Sequence, residues 1–481
     1  MDDSPAAEMH VFKKPKPLRL YDQQAPLVGG DGGGYDLDLD LINHLPDAIL
    51  GTIVSLLPTK DGARTQAISR RWLPLWRSHM APLNLVANYQ LSDDKSRVAV
   101  VSKILSDHPG PARRFSLNPT CSQSFQAEVD GWFRSASLAG LQELQVTNLP
   151  MKHYPLPQHA LVRFSPTLRL LRLFGCQFPS LVAPLSFPFL EQLILYDVGI
   201  SEDALETMIS GSTVLKSVSL HGMRFSRLCI SSPTLMSISF YALRSKGAIT
   251  FKELVIRDAP SLERLLPIFP EEGPATIRVI RAPKLEILGF LSKGISTLRL
   301  GTMVFQKMIP VRLTSKMRTM KILALDVGEN LDTVVDFLKC FPCLQKLYVI
   351  SHQGNDMNNV RKYDPANPIE CFELHLKKVV LKNYDADKKA CIDFANFFIL
   401  NAKVLKEMEI GILKEQTDQW MYYHGTKLQV ENRASRDARV KLGRDRYAIP
   451  GNHGHTHDLS LADPFEKSLC GHNKSVRYSI L

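Results

Sequence analysis

Along most of this chain the apolar residues fall into one short phrase that keeps returning. It reads apolar-x-x-apolar-x-apolar, first as Leu141-Gln142-Glu143-Leu144-Gln145-Val146, then from Leu168 to Leu173, Leu190 to Leu195, Leu215 to Leu220 and Leu235 to Phe240. Further copies run from Leu285 to Phe290, Met320 to Leu325, Leu344 to Val349 and Leu405 to Ile410. Several follow an aromatic-Pro or Ser-Pro pair, as at Ser165-Pro166, Phe187-Pro188, Ser232-Pro233 and Phe341-Pro342. The alternation closing each phrase predicts a short strand with alternate side chains turned inward, the first leucine filling the corner before it. One such coil cannot bury its inward face alone, so neighbours must stack into a parallel array.

Consecutive copies lie mostly about 20 to 27 residues apart, the spacing of leucine-rich repeats. Helical returns are expected where Asn330 caps Leu331, Val334, Val335 and Leu338, and where Ser201 precedes Leu205 and Ile209. Between 241 and 310 the phrase blurs. A polar break, Gly354 to Asn359, precedes a strand candidate at Leu374–Leu381. A helix from about Asp387, carrying Cys391, Phe394, Ala395 and Phe398 on one face, and a strand at Val404–Ile412 complete a strand–helix–strand unit. The tail after 431 is basic (Arg433, Arg436, Arg439, Lys441, Arg444, Arg446) and is expected to be loosely ordered.

The amino-terminal end is patterned differently. Residues 1–40 hold Lys13-Lys14-Pro15-Lys16, Gly29 to Gly34 and alternating aspartates, with too little apolar surface to offset ordering. The Lys13–Lys16 cluster has the composition of a nuclear import signal, against the plainer reading of a solvated tail. Leu45 to Pro58 then reads as a helix, with Pro46 at its first position, Asp47 complementing the dipole and Pro58 stopping it. Ile49, Leu50, Ile53, Leu56 and Leu57 make one apolar face. A second helix from Thr59 or Lys60 carries Ala63, Ala67 and Ile68, and Trp72, Leu75 and Trp76 follow. Forty residues are too few to close a core around this surface, so Leu50, Ile53, Trp72 and Trp76 call for outside cover. Lys60, Arg64, Arg70, Arg71 and Arg77 against the single acid Asp61 ask for a partner with an apolar groove and an acidic rim.

Composition narrows the classes. A length of 481 residues with 44% hydrophobic and 22% charged residues suits a folded protein of two or three domains or one elongated array. The net charge of +11 favours acidic partners. The start has no signal-peptide pattern and no apolar run reaches membrane-spanning length, so eight thinly spread cysteines point to a reducing nucleus or cytoplasm. Cys340-Phe341-Pro342-Cys343 has redox spacing but lies between a helix and a repeat phrase, not between a strand and a helix. His453, His455 and His457 alternate in a polar tail without rigid support, so a flexible loop outweighs a metal site. Gly29–Gly34 lacks the strand and lysine of a phosphate loop. The four-residue spacing of Trp72 and Trp76 puts both indoles on one helix face, which favours packing over nucleic-acid stacking. No catalytic residue, cofactor, metal, membrane or nucleic-acid partner is expected.

The stretch Leu45-Pro46-Asp47…Leu56-Leu57-Pro58-Thr59-Lys60-Asp61…Ser69-Arg70-Arg71-Trp72…Leu75-Trp76 resembles the plant F-box pattern, with Gly62 where that family more often has alanine. Cys371–Ile412, through Leu376-Lys377-Lys378-Val379 and Asn401 to Met408, resembles the FBD module that often ends plant F-box/leucine-rich-repeat proteins. The resemblance implies an α/β chain: a disordered segment (1–40), a three-helix F-box (41–80), a connecting helical and strand region entering the solenoid (81–137), an irregular leucine-rich-repeat solenoid (138–353), an FBD-like unit (365–440) and a flexible tail (441–481). It implies a substrate-recognition subunit of a Skp–cullin–F-box ubiquitin ligase, docking on a Skp-family adaptor and through it a cullin, with the repeats binding a target protein. The alternative is a repeat scaffold not engaged with a ligase. By the same resemblance Leu45, Pro46, Ile49, Leu50, Ile53, Leu57, Pro58, Ile68, Trp72 and Trp76 are adaptor-facing or core-supporting, two roles the sequence leaves unsplit. Leu50→Asp or Trp72→Ala is then expected to abolish adaptor binding and leave the repeats folded.

Overall fold

The computed structural model describes residues 41–42, 44–57, 59–76, 83–86, 94–108, 111–117, 126–148, 154–180, 185–223, 226–241, 251–268, 274–327, 330–350, 363–385, 387–412, 423–444 and 454–466. The expectations for residues 1–40 and Lys13–Lys16 lie outside these, as do Pro58, Arg77, Gly354–Asn359, Arg446 and His453. The chain divides into two units, Met1–Pro46 and Asp47–Leu481. In the first, the Leu45 N–H closes a turn onto the Ile42 carbonyl at 3.2 Å.

The second unit begins with three short helices, α1 (Asp47–Leu56), α2 (Thr59–Arg64) and α3 (Trp72–Trp76). A sheet of fourteen strands follows. Its first half is β1 (Leu83–Val86), β2 (Ala112–Leu117), β3 (Glu143–Thr147), β4 (Leu170–Phe174), β5 (Gln192–Tyr196), β6 (Ser217–His221) and β7 (Ser237–Tyr241). The second half is β8 (Arg264–Pro267), β9 (Ile287–Ser292), β10 (Ile322–Asp326), β11 (Lys346–Ile350), β12 (Lys378–Lys382), β13 (Glu407–Ile412) and β14 (Arg439–Arg444). Strands neighbour one another in chain order and every pair is parallel, as stacked coils require. The register aligns the second apolar position of successive phrases, Leu144, Leu171, Leu193, Val218 and Ile238, in one fully buried row. That row is the spine of a continuous core.

The helical returns form as expected. Asn330 accepts from the Thr333 N–H and opens Leu331–Cys340, and Ser201 accepts from the Ala204 N–H and opens Glu202–Gly211. From Arg227 to Pro310, a stretch that includes the blurred 241–310, the returns are strands instead. Arg227–Ser231, Glu253–Asp258, Thr276–Val279 and Thr297–Leu300 form a parallel second sheet, extended antiparallel by Met303–Gln306 and Ile309–Pro310. Two alternating patterns per coil overlap there, which is why the phrase blurs and β8 is not recognisable in it.

The connecting region 81–137 holds helices and strands, with β1 and β2 joining the main sheet. One further expectation changes. The carboxyl-terminal stretch is more structured than a flexible tail: 439–444 is β14, and 454–466 packs on the sheet through the buried side chains of His457, Asp463 and Phe465. The strand–helix–strand unit is present as β12, the helix Lys389–Asn401 and β13, and β12 pairs with β11, so it prolongs the same sheet. Among the described residues no helix is long and apolar enough to cross a membrane.

Candidate protein-docking surface

The three helices split the apolar face that the sequence presented as one. Successive residues on a helix lie about 100° apart, so Ile49 and Leu50 cannot both face the same neighbour. Leu50 and Val54, four apart, turn inward with Gly51 and Ser55, and α1 packs on α3 where Trp72 and Leu75 are buried. Ile49 (48% exposed), Ile53 (38%) and Leu56 (60%) fall at i, i+4 and i+7 and form a stripe on the opposite side. Ile68 (59%) and Leu73 (45%) are exposed on the segment that follows.

The candidate residues therefore separate. Leu50 and Trp72 are core. Leu57 and Trp76 are half-buried; Ile49, Ile53 and Ile68 are exposed; Leu45 (half-buried) and Pro46 (exposed) belong to the amino-terminal unit; Pro58 lies outside the described residues. The outside cover expected for Leu50, Trp72 and Trp76 comes from the chain itself. The Trp76 indole sits against Gly62 and meets the His108 ring edge-on at 5.5 Å between centroids. Leu50→Asp and Trp72→Ala would thus strike the helices' own packing, which makes Leu50 and Trp72 core-supporting among the residues whose two roles the sequence left unsplit.

What fixes this surface is a joint that the sequence did not reveal. The Asn84 side-chain amide on β1 donates to the Ser55 carbonyl and, at 3.4 Å, to the Leu57 carbonyl, and the main-chain carbonyl of Asn84 accepts from the Thr59 hydroxyl. Asn84 so satisfies carbonyls at the end of α1 that no helical N–H can reach. At the other end Arg71 clasps Asp47, with Nη2 and Nε 2.6 and 2.9 Å from Oδ1. Asp61 is offset by Arg64 at 3.1 Å, while Lys60 and Arg70 stand exposed. The result is an apolar stripe on a segment that also exposes Lys60 and Arg70, in keeping with a partner that has an acidic-rimmed groove.

The described residues of two other motifs pack within the fold. Cys340 ends a helix, fully buried, and burial raises its thiol to about 11, far from a reactive thiolate. His457 faces Ser217, with Nδ1 2.6 Å from the hydroxyl.

Comparisons with known proteins find matches to the repeats and to the unit that follows them. Residues 129–349 match a family profile for the leucine-rich repeats of FBD-associated F-box protein At5g56370, and residues 364–410 match the FBD profile. F-box/FBD/LRR-repeat protein At1g13570 of Arabidopsis thaliana is 26% identical over 46% of this chain and 52% of its own length. Putative F-box protein At1g64540 of the same plant is 30% identical over 38% of this chain and 39% of its own length. F-box/FBD/LRR-repeat protein At3g26920, also from Arabidopsis thaliana, is 24% identical over 79% of this chain and 91% of its own length. For the first two the chain spans about half or less of the relative's length.

Proposed function

We propose that this chain, a member of the plant family of F-box/FBD/LRR-repeat proteins, is the substrate-receiving subunit of a Skp–cullin–F-box ubiquitin ligase. The observation that carries the reading is the solvent-facing stripe Ile49–Ile53–Leu56 on α1, with Ile68 and Leu73 beyond it. Scattered exposed apolar residues are ordinary, but three in register on one helix face, in a segment that also exposes Lys60 and Arg70, suit an interface. The adaptor-facing residues are then Ile49, Ile53, Leu56, Ile68 and Leu73, with Leu45 and Pro46 beside them in sequence. Leu50, Trp72 and Trp76 hold those positions from behind. No chemistry is asked of this chain: it supplies proximity between a target held by the repeats and the transfer machinery.

Co-expression of the full chain with a Skp-family adaptor and its cullin, followed by gel filtration, tests the assembly. The expected result is a single ternary peak. A folded chain that elutes apart from both would leave a repeat scaffold without a ligase.

A further inference from the structure

The leucine rows of the main sheet face the core, so the alternate residues face the other way. On β6 to β12 these include Ser217, Ser237, Arg264, Ile287, Ile322, Lys346 and Lys378, aligned by the register. In the middle of that face lies a second apolar cluster, built by Leu266, Ile287, Phe290, Ile322, Tyr348 and Val380. Its lid is Phe465, from a segment of the chain that crosses the strands.

The segment is held like a ligand. His457 meets Ser217 at 2.6 Å. The Arg264 guanidinium donates to three main-chain carbonyls, Asp458 and Leu459 at 3.1 Å and Leu461 at 2.6 Å, which fixes the backbone without reading side chains. Then the recognition becomes specific. The Asp463 carboxylate accepts from Lys346 Nζ and from the Tyr348 hydroxyl, both at 2.8 Å. The Phe465 ring sits edge-on to Phe290 at 5.0 Å and tilted to Tyr348 at 5.4 Å. Glu466 lies 3.7 Å from Lys346 and 3.6 Å from Lys378, while Lys378 also pairs with Glu407 and Glu409 at 3.0 and 2.9 Å.

The sheet is altered to receive that ring. The register between β9 and β10 slips at Gly289-Phe290, and Phe290 takes a left-handed φ of 43°, uncommon for an aromatic residue. Gly289 leaves the space, since a β-carbon there would run into Phe465. Neither the bulge nor the strain is needed by the leucine rows behind, and such features cluster where something binds.

We propose that this face of the sheet is a peptide-recognition site, occupied in cis by residues 457–466, and that a partner segment presenting acid–proline–aromatic–acid chemistry binds by displacing them. The pattern is the chain's own Asp463-Pro464-Phe465-Glu466. The proposal rests on the reading of the repeats as the target-binding part, and it needs no adaptor. A cis occupant lowers the apparent affinity for any competitor by the fraction of time the site is open, so the site is closed to weak partners.

The probe is a labelled peptide of residues 456–466, titrated into the full chain without adaptor. Phe465→Ala in the chain removes the lid's anchor, and this variant is expected to bind the peptide at least ~10-fold tighter than wild type. Gly289→Ala or Lys346→Ala added to that variant, or alanine at the peptide's own phenylalanine, is expected to reverse the gain. Equal affinity in wild type and Phe465→Ala, or binding indifferent to Gly289→Ala, would overturn the proposal. So would a Phe465→Ala chain that cannot fold, because the segment would then be core. Hydrogen exchange of wild type gives an independent reading: amides of 457–466 opening faster than those of β11 support displacement, and equal protection contradicts it. Failure here with an intact adaptor complex would leave the ligase reading standing.

Discussion

A β-carbon at Gly62 would run into the Trp76 indole, whose neighbour on the far side is His108. By helix propensity alone Gly62→Ala should gain about 1 kcal/mol on α2. The collision reverses the sign, because the indole must leave its edge-on contact with His108 and a half-buried aromatic loses its cover. The expected outcome is a lower Tm and a red-shifted tryptophan emission, and a variant with higher Tm and unchanged emission would refute the packing. The sequence showed glycine only as a departure from alanine; the space it makes belongs to a residue fourteen positions away. The same limit applies to Leu50 and Ile49. Periodicity placed both on one apolar face, and only the position of α3 decides that Leu50 is covered and Ile49 is not. Asn84 was beyond reach for the same reason: a single polar residue in an apolar strand carries no mark of the helix end it satisfies.

At the scale of elements, the carboxyl-terminal strands are stitched by charges across the register. Lys378 on β12, Glu407 and Glu409 on β13 and Lys441 on β14 form one row of ion pairs. The hydrogen bond from Lys441, opposed by burial and reinforced by Lys378, holds the Glu407 carboxyl down at about 2. Its folded pKa lies below the ordinary 4.5, so its contribution is whole above that value and disappears as pH falls toward about 2. Acid unfolding of Glu407→Gln, followed from about pH 5 to about pH 2, is therefore expected to be flatter than that of wild type. Curves of equal slope would show that the pair contributes nothing. Strands and capped helices were the legible elements, since Asn330 and Ser201 announce their helices and the phrase announces its strands. The second sheet was not legible, because its strands occupy returns where no phrase marks them. Nor was the docked segment 454–466, whose short polar and proline-containing pattern looks like a tail until Gly289 and Lys346 are placed beneath it.

Across the whole second unit the same sheet runs from β1 to β14, so the repeats and the FBD segment share one set of parallel strands. The docking helices join it at β1 through Asn84. A chain of this kind can offer two surfaces, one on the helices and one on the open face of the sheet, while its core only stiffens what lies between. The repeat fold was readable because a strict apolar phrase admits few other packings. The exposed stripe on α1 was readable only as part of a wider apolar face, since exposure depends on contacts between elements. Titration calorimetry of a plant Skp-family adaptor into the full chain reads out the proposed binding at the outward stripe of α1. Wild type is expected to bind one to one, and Ile49→Asp/Ile53→Asp to lose at least about 30-fold, or ~2 kcal/mol, with unchanged circular dichroism and Tm. Equal affinities in the two chains, or no heat from a folded wild type, would contradict it.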